Sequence, residues 1–264
     1  MSYLPKILII AGSDPSGGAG IQTDIKTATA NKTYASAVIT CLTAQNTVLV
    51  GGALTPDSKF LEKQLELLFL DIKYDAIKIG MVGNIENIKI IIKILKKFAS
   101  KTPIILDPVM IATSGDKLFD MKNISALKDL VKISTIVTPN IDEAKNLTGK
   151  DIVTKNDMIK AAIDIKKIGA KNVLIKGGHI DLDKNIVTNI FLDKDDKIHE
   201  IINKRVKISG EVHGTGCALA TTISCLIAKK QNPILAVKKA NEYIFEQIKK
   251  SHKIGKGSNI LTHF

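Results

Sequence analysis

The chain has 264 residues, 45% of them hydrophobic and 24% charged, with a mean hydropathy of +0.12. That balance excludes an intrinsically disordered chain, which lacks the apolar residues needed to offset its ordering entropy. It suits one globular α/β domain over residues 1–264, long enough to bury its core without disulfide staples. The net charge is +12, yet all but one of the 38 Lys+Arg residues are lysine, Arg205 being the exception, and aromatic residues make up only 4% with no Trp. Arginine forks and aromatic stacking platforms are what nucleic-acid readers use. The charge therefore reads as a solvated lysine-rich surface, with attraction of anionic substrates as the alternative and no nucleic-acid partner expected.

Three cysteines, Cys41, Cys217 and Cys225, form no CxxC pair, which disfavours a disulfide scaffold or a structural zinc site. The apolar run Lys6–Gly12 is too short for a signal-peptide core, and no stretch approaches the roughly 18 uninterrupted apolar residues of a membrane span. The expectation is a reduced, cytoplasmic protein with no membrane partner.

Elements follow in βαβ alternation. Ile7–Ala11 reads as a buried strand, then a glycine loop over Gly12–Gly20 and a helix over Ile21–Asn31. Ser36–Thr43 reads as a strand, and Thr47–Ala53 as a third strand or part of a flap. Pro56 and Asp57 open a helix running to Leu70. Ala76–Ile79 is a strand, Ile85–Phe98 a helix with lysines at its C-terminal end, and Ile104–Leu106 a strand; Met110–Lys122 reads as a loop. Ile133–Val137 is a strand, Asp157–Ile168 a helix closed by Gly169, and Asn172–Ile175 a strand. Ile186–Leu192 and Ile198–Ile208 form a hairpin. A long apolar helix over Ala218–Ala228 and a last helix over Pro233–Lys250 complete the chain. This order predicts a mainly parallel central sheet with helices on both faces, a three-layer sandwich.

In such folds ligands lie beyond the C-terminal ends of the parallel strands. Gly12-Ser13-Asp14, Gly80-Met81, Asp107-Pro108, Pro139-Asn140 and Lys176-Gly177-Gly178 all follow apolar strands, so they should converge on one rim. The loop Gly12–Gly20 is neither a Walker A loop, having Gly18 where lysine is required, nor a dinucleotide fingerprint, having Thr23 at the third glycine position. Its glycines either let backbone approach a small ligand or simply make a flexible turn. Asp24 either caps its helix dipole or accepts hydrogen bonds from a substrate N–H. In Val212-His213-Gly214-Thr215-Gly216-Cys217 the glycines free consecutive N–H groups at a helix start to cradle an anion. Cys217, in the first helical turn, is either a structural cysteine or a thiol whose pKa the helix terminus lowers, suited to general-base work. A cysteine-hydrolase dyad with His213 is a rival reading; His213 also reads as a turn residue, and His179 as either another rim residue or a loop cap. Asp107, Asn140 and Glu143 either hold Mg²⁺ together with phosphate oxygens or, for Asn140, cap a helix. Lys176 at a strand end can neutralise a phosphate.

Taken in order, Ala11–Thr27, Thr43–Thr47, Lys78–Met81, Leu106–Met110 with Ala112–Asp116, Thr138–Ala144, Lys176–His179, His213–Ala220 and the segment 255–264 resemble the ribokinase superfamily. Within it the chain is most similar to the hydroxymethylpyrimidine/phosphomethylpyrimidine kinases of thiamine biosynthesis. The resemblance implies a ribokinase-like fold and an ATP-dependent kinase that phosphorylates 4-amino-5-hydroxymethyl-2-methylpyrimidine and then its monophosphate. A pyridoxal/pyridoxine kinase of the same superfamily is the alternative. It implies Cys217 as the general base, with Gly214, Thr215 and Gly216 as the anion hole. It further implies that Asp24 and Gln45 hydrogen-bond the aminopyrimidine in a pocket shaped by Gly12, Ala19 and Met81. Lys176 and Asn140 would contact ATP phosphates, and Asp107 and Glu143 would serve Mg²⁺ through water. A homodimer acting on a small-molecule substrate is expected.

Overall fold

In the computed structural model, which describes residues 3–110, 119–178 and 185–263, the hydrophobic alternation of the first strand sets the architecture. Strand β1 (Lys6–Ser13) is buried along almost its whole length. Its Leu8 and Ile10 side chains enter one core, and Ile7, Ile9 and Ala11 enter the other, as the period-2 geometry of a strand requires. A strand buried on both faces must be central, and β1 lies between β2 (Tyr34–Gln45) and β4 (Ala76–Ile79), parallel to both.

The sheet has nine strands in the order β3-β2-β1-β4-β5-β6-β7-β8-β9. Strands β5 (Ile104–Leu106), β6 (Ile136–Val137) and β7 (Asn172–Ile175) continue the parallel run. Strands β3 (Val50–Leu54), β8 (Ile186–Leu192) and β9 (Ile198–Lys204) add antiparallel edges. Residues of α2 (Ser58–Asp71), α3 (Ile85–Phe98), α4 (Ile124–Ile133), α5 (Ile141–Thr148) and α6 (Lys155–Ile168) fill the core on one face. Residues of α1 (Gly20–Ala30), α7 (Thr215–Ala228) and α8 (Pro233–Lys249) fill the other. A short pair, β10 (Val212–His213) and β11 (Asn259–Ile260), ties the chain's last residues to the start of α7. The fold is the expected ribokinase-like three-layer sandwich. Among the described residues no helix is long and apolar enough to cross a membrane.

Three expectations need correction. Helix α4 occupies a stretch left without an element, and Ile133 ends that helix, so β6 begins only at Ile136. The buried positions Ala126, Leu127, Leu130 and Val131 recur at helical spacing and face the core. Strand β9 stops at Lys204, short of Ile208.

Strand β4 carries Ile77 and Ile79 on one face, so Lys78 must join Ala76 on the other, among α1 and α7. There its ammonium meets Asp24 of α1 at 2.6 Å, with both side chains 0% exposed. The hydroxyl of Thr221 in α7 donates to the other Asp24 oxygen at 2.6 Å. Burial disfavours the ammonium, but the Asp24 carboxylate, together with smaller contributions from Cys217 and Asp107, outweighs it and raises the Lys78 pKa, so the lysine remains charged. Replacing one member strands a buried charge. Lys78→Met is therefore expected to cost about 3–5 kcal/mol. The double variant Lys78→Met, Asp24→Leu should recover much of that loss. Denaturant midpoints of the two variants check this; equal destabilisation by single and double variants would contradict the ion-pair explanation.

Candidate functional site

The five strand-end segments converge as expected, because β1, β4, β5, β6 and β7 are neighbours in the sheet. Across the rim the Lys176 ammonium lies 2.7 Å from Asp107 and 3.8 Å from Glu143. Thr138 donates to the same Asp107 oxygen at 3.1 Å. Burial lowers the Lys176 pKa, yet the two carboxylates outweigh it and raise it. Burial, reinforced by Asp107 and opposed by Lys176, pushes Glu143 up to about 7. Asn140 and Glu143 form a reciprocal capping box at the start of α5: Asn140 Oδ1 accepts from the Glu143 N–H at 2.8 Å, and Glu143 accepts from the Asn140 N–H at 2.7 Å. The helix-cap reading of Asn140 is thus realised.

Helix α7 starts beside this cluster. Gly214 is its N-cap at φ +79°, and no side chain caps the end, so its first-turn N–H groups offer an anion-binding terminus. A methyl on Gly214 would sit 1.9 Å from the Gly18 carbonyl oxygen. Only glycine lets the helix start dock on the Gly12–Gly20 loop. A methyl on Gly216 would lie 3.2 Å from the Lys176 ammonium nitrogen and 3.5 Å from Asp107 Oδ2, so the amide nest, the lysine and the carboxylate adjoin.

Cys217 follows in the first turn of α7, partly buried. The backbone of Gly20 helps to draw the thiol pKa down. Thr221 lies four residues further on, on the same helical face, so Lys78 and Asp24 pack beneath the thiol. A helix terminus acting alone would lower the thiol pKa, as expected from the sequence. Instead burial pushes it up to about 11, with Lys78 pulling it down and Asp24 and Asp107 adding to the rise. Desolvation outweighs the helix terminus, and the resting group is a thiol. Cys225 and Cys41 are buried in the core.

Asp24 is fully buried, its carboxylate held by the Lys78 ammonium and by the Thr221 hydroxyl, each at 2.6 Å. Gln45, by contrast, lines a cleft of about 390 Å³ with Asn46, Thr47 and His213. One end of its amide is 3.0 Å from His213 Nε2. Ala19 is the N-cap residue of α1, and its N–H binds Asp14 at 2.9 Å. Met81 packs its sulfur over Gly12, where a methyl would meet it at 2.9 Å. His179 and the Ala112–Asp116 motif lie outside the described residues.

Sequence reasoning gave no role to Lys78 or Asp14. A lysine inside the otherwise apolar strand Ala76–Ile79 was the available signal for the first. Asp14 collects the Ser16 N–H and hydroxyl at 2.8 and 2.7 Å and lies 3.3 Å from His213, a turn-forming role that its place in the glycine loop suggests.

The sequence profile of the phosphomethylpyrimidine kinase family matches residues 14–262. A hydroxymethylpyrimidine/phosphomethylpyrimidine kinase from Rhizobium meliloti is 38% identical over 97% of this chain and 96% of its own. Several other curated relatives are longer, and the chain spans 34% to 52% of their length. Among solved structures, a phosphomethylpyrimidine kinase from Clostridium difficile 630 is 37% identical with a TM-score of 0.80, covering 93% of this chain and 100% of that one. A Staphylococcus aureus pyridoxal kinase bound to AMP-PCP and pyridoxal is 31% identical with a TM-score of 0.89, covering 99% of this chain and 94% of that one. The chain belongs to the phosphomethylpyrimidine kinase family.

Proposed function

We propose that this chain is an ATP-dependent phosphotransferase that phosphorylates 4-amino-5-hydroxymethyl-2-methylpyrimidine and then the resulting monophosphate, supplying the pyrimidine diphosphate for thiamine biosynthesis. The observation that carries it is the juxtaposition of Cys217, the uncapped N-terminus of α7, and the Lys176–Asp107 pair beside Gly216. A group that can take a hydroxyl proton, a nest for an anion and a cation to neutralise it are what phosphoryl transfer needs, since the reaction is mostly positioning and charge stabilisation.

The substrate hydroxyl oxygen attacks the γ-phosphorus of ATP. The new O–P bond forms as the bond to the β,γ-bridging oxygen breaks, and ADP leaves with that electron pair. The hydroxyl proton passes to the Cys217 sulfur in its thiolate form. Amides of Gly214, Thr215 and Gly216 receive the migrating group, and Lys176 balances its charge. Asp107 and Glu143 flank Lys176, and two like-charged carboxylates beside a phosphate nest are a donor set that suits a hard divalent cation. Those two residues would hold Mg²⁺, which supplies charge neutralisation on the phosphate oxygens when bound.

A pyridoxal kinase activity is the second reading, favoured by the TM-score of 0.89 to pyridoxal kinases. ATP consumption with the free pyrimidine, its monophosphate and pyridoxal, run in parallel, separates them. The proposal expects turnover of both pyrimidines; turnover of pyridoxal alone would replace it with the second reading.

Because the thiol sits near 11, its thiolate is scarce at neutral pH and grows as pH rises. Turnover limited by that base should therefore increase about tenfold per pH unit between pH 7 and 9. Cys217→Ala should lower turnover by about 10²–10⁴ and flatten the profile. A flat wild-type profile, or full activity in Cys217→Ala, would remove Cys217 from this role.

A further inference from the structure

The hydrogens available around Gln45 fix which way its amide must point. As placed, the amide nitrogen lies 3.0 Å from His213 Nε2 and the amide oxygen 3.2 Å from the Thr43 hydroxyl. His213 Nε2 also lies 3.3 Å from Asp14 Oδ2. Asp14 accepts from the Ser16 N–H and hydroxyl through one oxygen and from the Ala19 N–H through the other. Burial pushes its pKa up, but His213 and Ser16 together outweigh that and leave it lowered, so the group is an ionised pure acceptor. His213 Nε2 must then carry a hydrogen, and an N–H cannot accept from the Gln45 NH₂.

The other end of the amide independently requires the same reversal. Thr43 has one hydroxyl hydrogen, and the Ser13 carbonyl oxygen, 2.9 Å away, can only accept it. The hydroxyl oxygen is left as an acceptor, so the Gln45 end facing it must donate. The alternative assignment, with hydrogen on His213 Nδ1 and the Thr43 hydrogen on Gln45, leaves two lone-pair contacts, Nε2 against Asp14 and Thr43 against Ser13. Turning the amide over leaves none. Amide oxygen and nitrogen are alike in shape, so the network decides between them.

We propose that His213 is a positioning residue that fixes the polarity of the Gln45 amide, oxygen toward His213 and nitrogen toward Thr43, and thereby sets which heteroaromatic edge the cleft accepts. The anchoring runs Asp14 to His213 to Gln45 on one side and Ser13 to Thr43 to Gln45 on the other. His213 is held in turn by backbone pairing with Ile260 and by Gly18, where a methyl would come within 2.9 Å of its ring. A glutamine free to turn over would serve a 4-amino edge and a 4-oxo edge alike, because those edges exchange donor and acceptor. A glutamine of fixed polarity serves one. This inference rests on the proposed pyrimidine substrate.

Two measurements test it. Nitrogen-15 spectra of the histidine-labelled, ligand-free protein report the protonation of His213 directly, whatever the enzyme phosphorylates. Hydrogen on Nε2 is expected, and a resonance pattern with hydrogen on Nδ1 alone would overturn the assignment. Kinetics then compare the 4-amino-5-hydroxymethyl-2-methylpyrimidine with its 4-oxo analogue. The wild type should prefer one edge by about 10²-fold or more in kcat/KM, since a polar site rejects a mismatched edge by leaving its own groups unpaired. His213→Phe, and independently Thr43→Val, should cut that preference at least about tenfold, mainly through KM, and His213→Gln, which retains an N–H donor, should restore part of it. An unchanged preference in folded His213→Phe and Thr43→Val would refute the positioning role. No turnover of either pyrimidine by the wild type would instead refute the proposed substrate, leaving the spectrum to judge His213.

Discussion

The site depends on one close approach of backbone to backbone. Gly214 stands so near the Gly18 carbonyl that a single methyl would fall 1.9 Å from its oxygen, and its φ of +79° lies where L side chains are strained. Two loops from opposite ends of the sequence meet at this contact. The first carries Asp14 and leads into α1; the second carries His213 and Cys217 and starts α7. Because β10 pairs with β11, the residues around Asn259–Ile260 clamp the same junction. The rest of the rim, from β5 to β7, brings Asp107, Glu143 and Lys176 up to Gly216, so the uncapped start of α7 and these charged groups lie side by side.

Beneath the nest the charge distribution is layered. The Lys78–Asp24 pair is sealed in the core under Cys217, whereas Lys176 bridges two carboxylates at the rim. A buried ion pair stabilises little over apolar residues of similar volume, so its presence under the thiol is informative about position rather than stability. Lys78 opposes the desolvation of the sulfur, and without it burial would drive that thiol further from its ionised form. The same partial burial that would weaken solvent screening of an anion at this half-buried helix start would make the sulfur a reluctant base.

Much of this was legible in the chain, for reasons that differ from residue to residue. The rim could be read because apolar runs such as Ile7–Ala11 and Asn172–Ile175 end in glycine or a polar residue, and parallel topology places all such ends together. The Asn140–Glu143 cap was readable from local spacing alone. Asp24 was not, since nothing local says that a carboxylate on α1 will face a lysine 54 residues later on the opposing strand. Cys217 shows the same limit. A helix terminus is a local feature, but the desolvation that outweighs it is a matter of tertiary burial. Helix α4 escaped because its terminal Ile133 also fits the start of the following strand, and only the packing of Leu127 and Leu130 separates the two readings.

The central claim is that backbone contact between the two glycine loops builds the site. Gly214→Ala tests it directly, because the added methyl forces the start of α7 away from Gly18 without deleting any polar side chain. The claim predicts a folded protein, with a far-ultraviolet spectrum like that of the wild type, whose kcat/KM for the pyrimidine falls by about 10²-fold or more, as small misplacements of an anion hole produce. A folded Gly214→Ala variant with wild-type kcat/KM would contradict it.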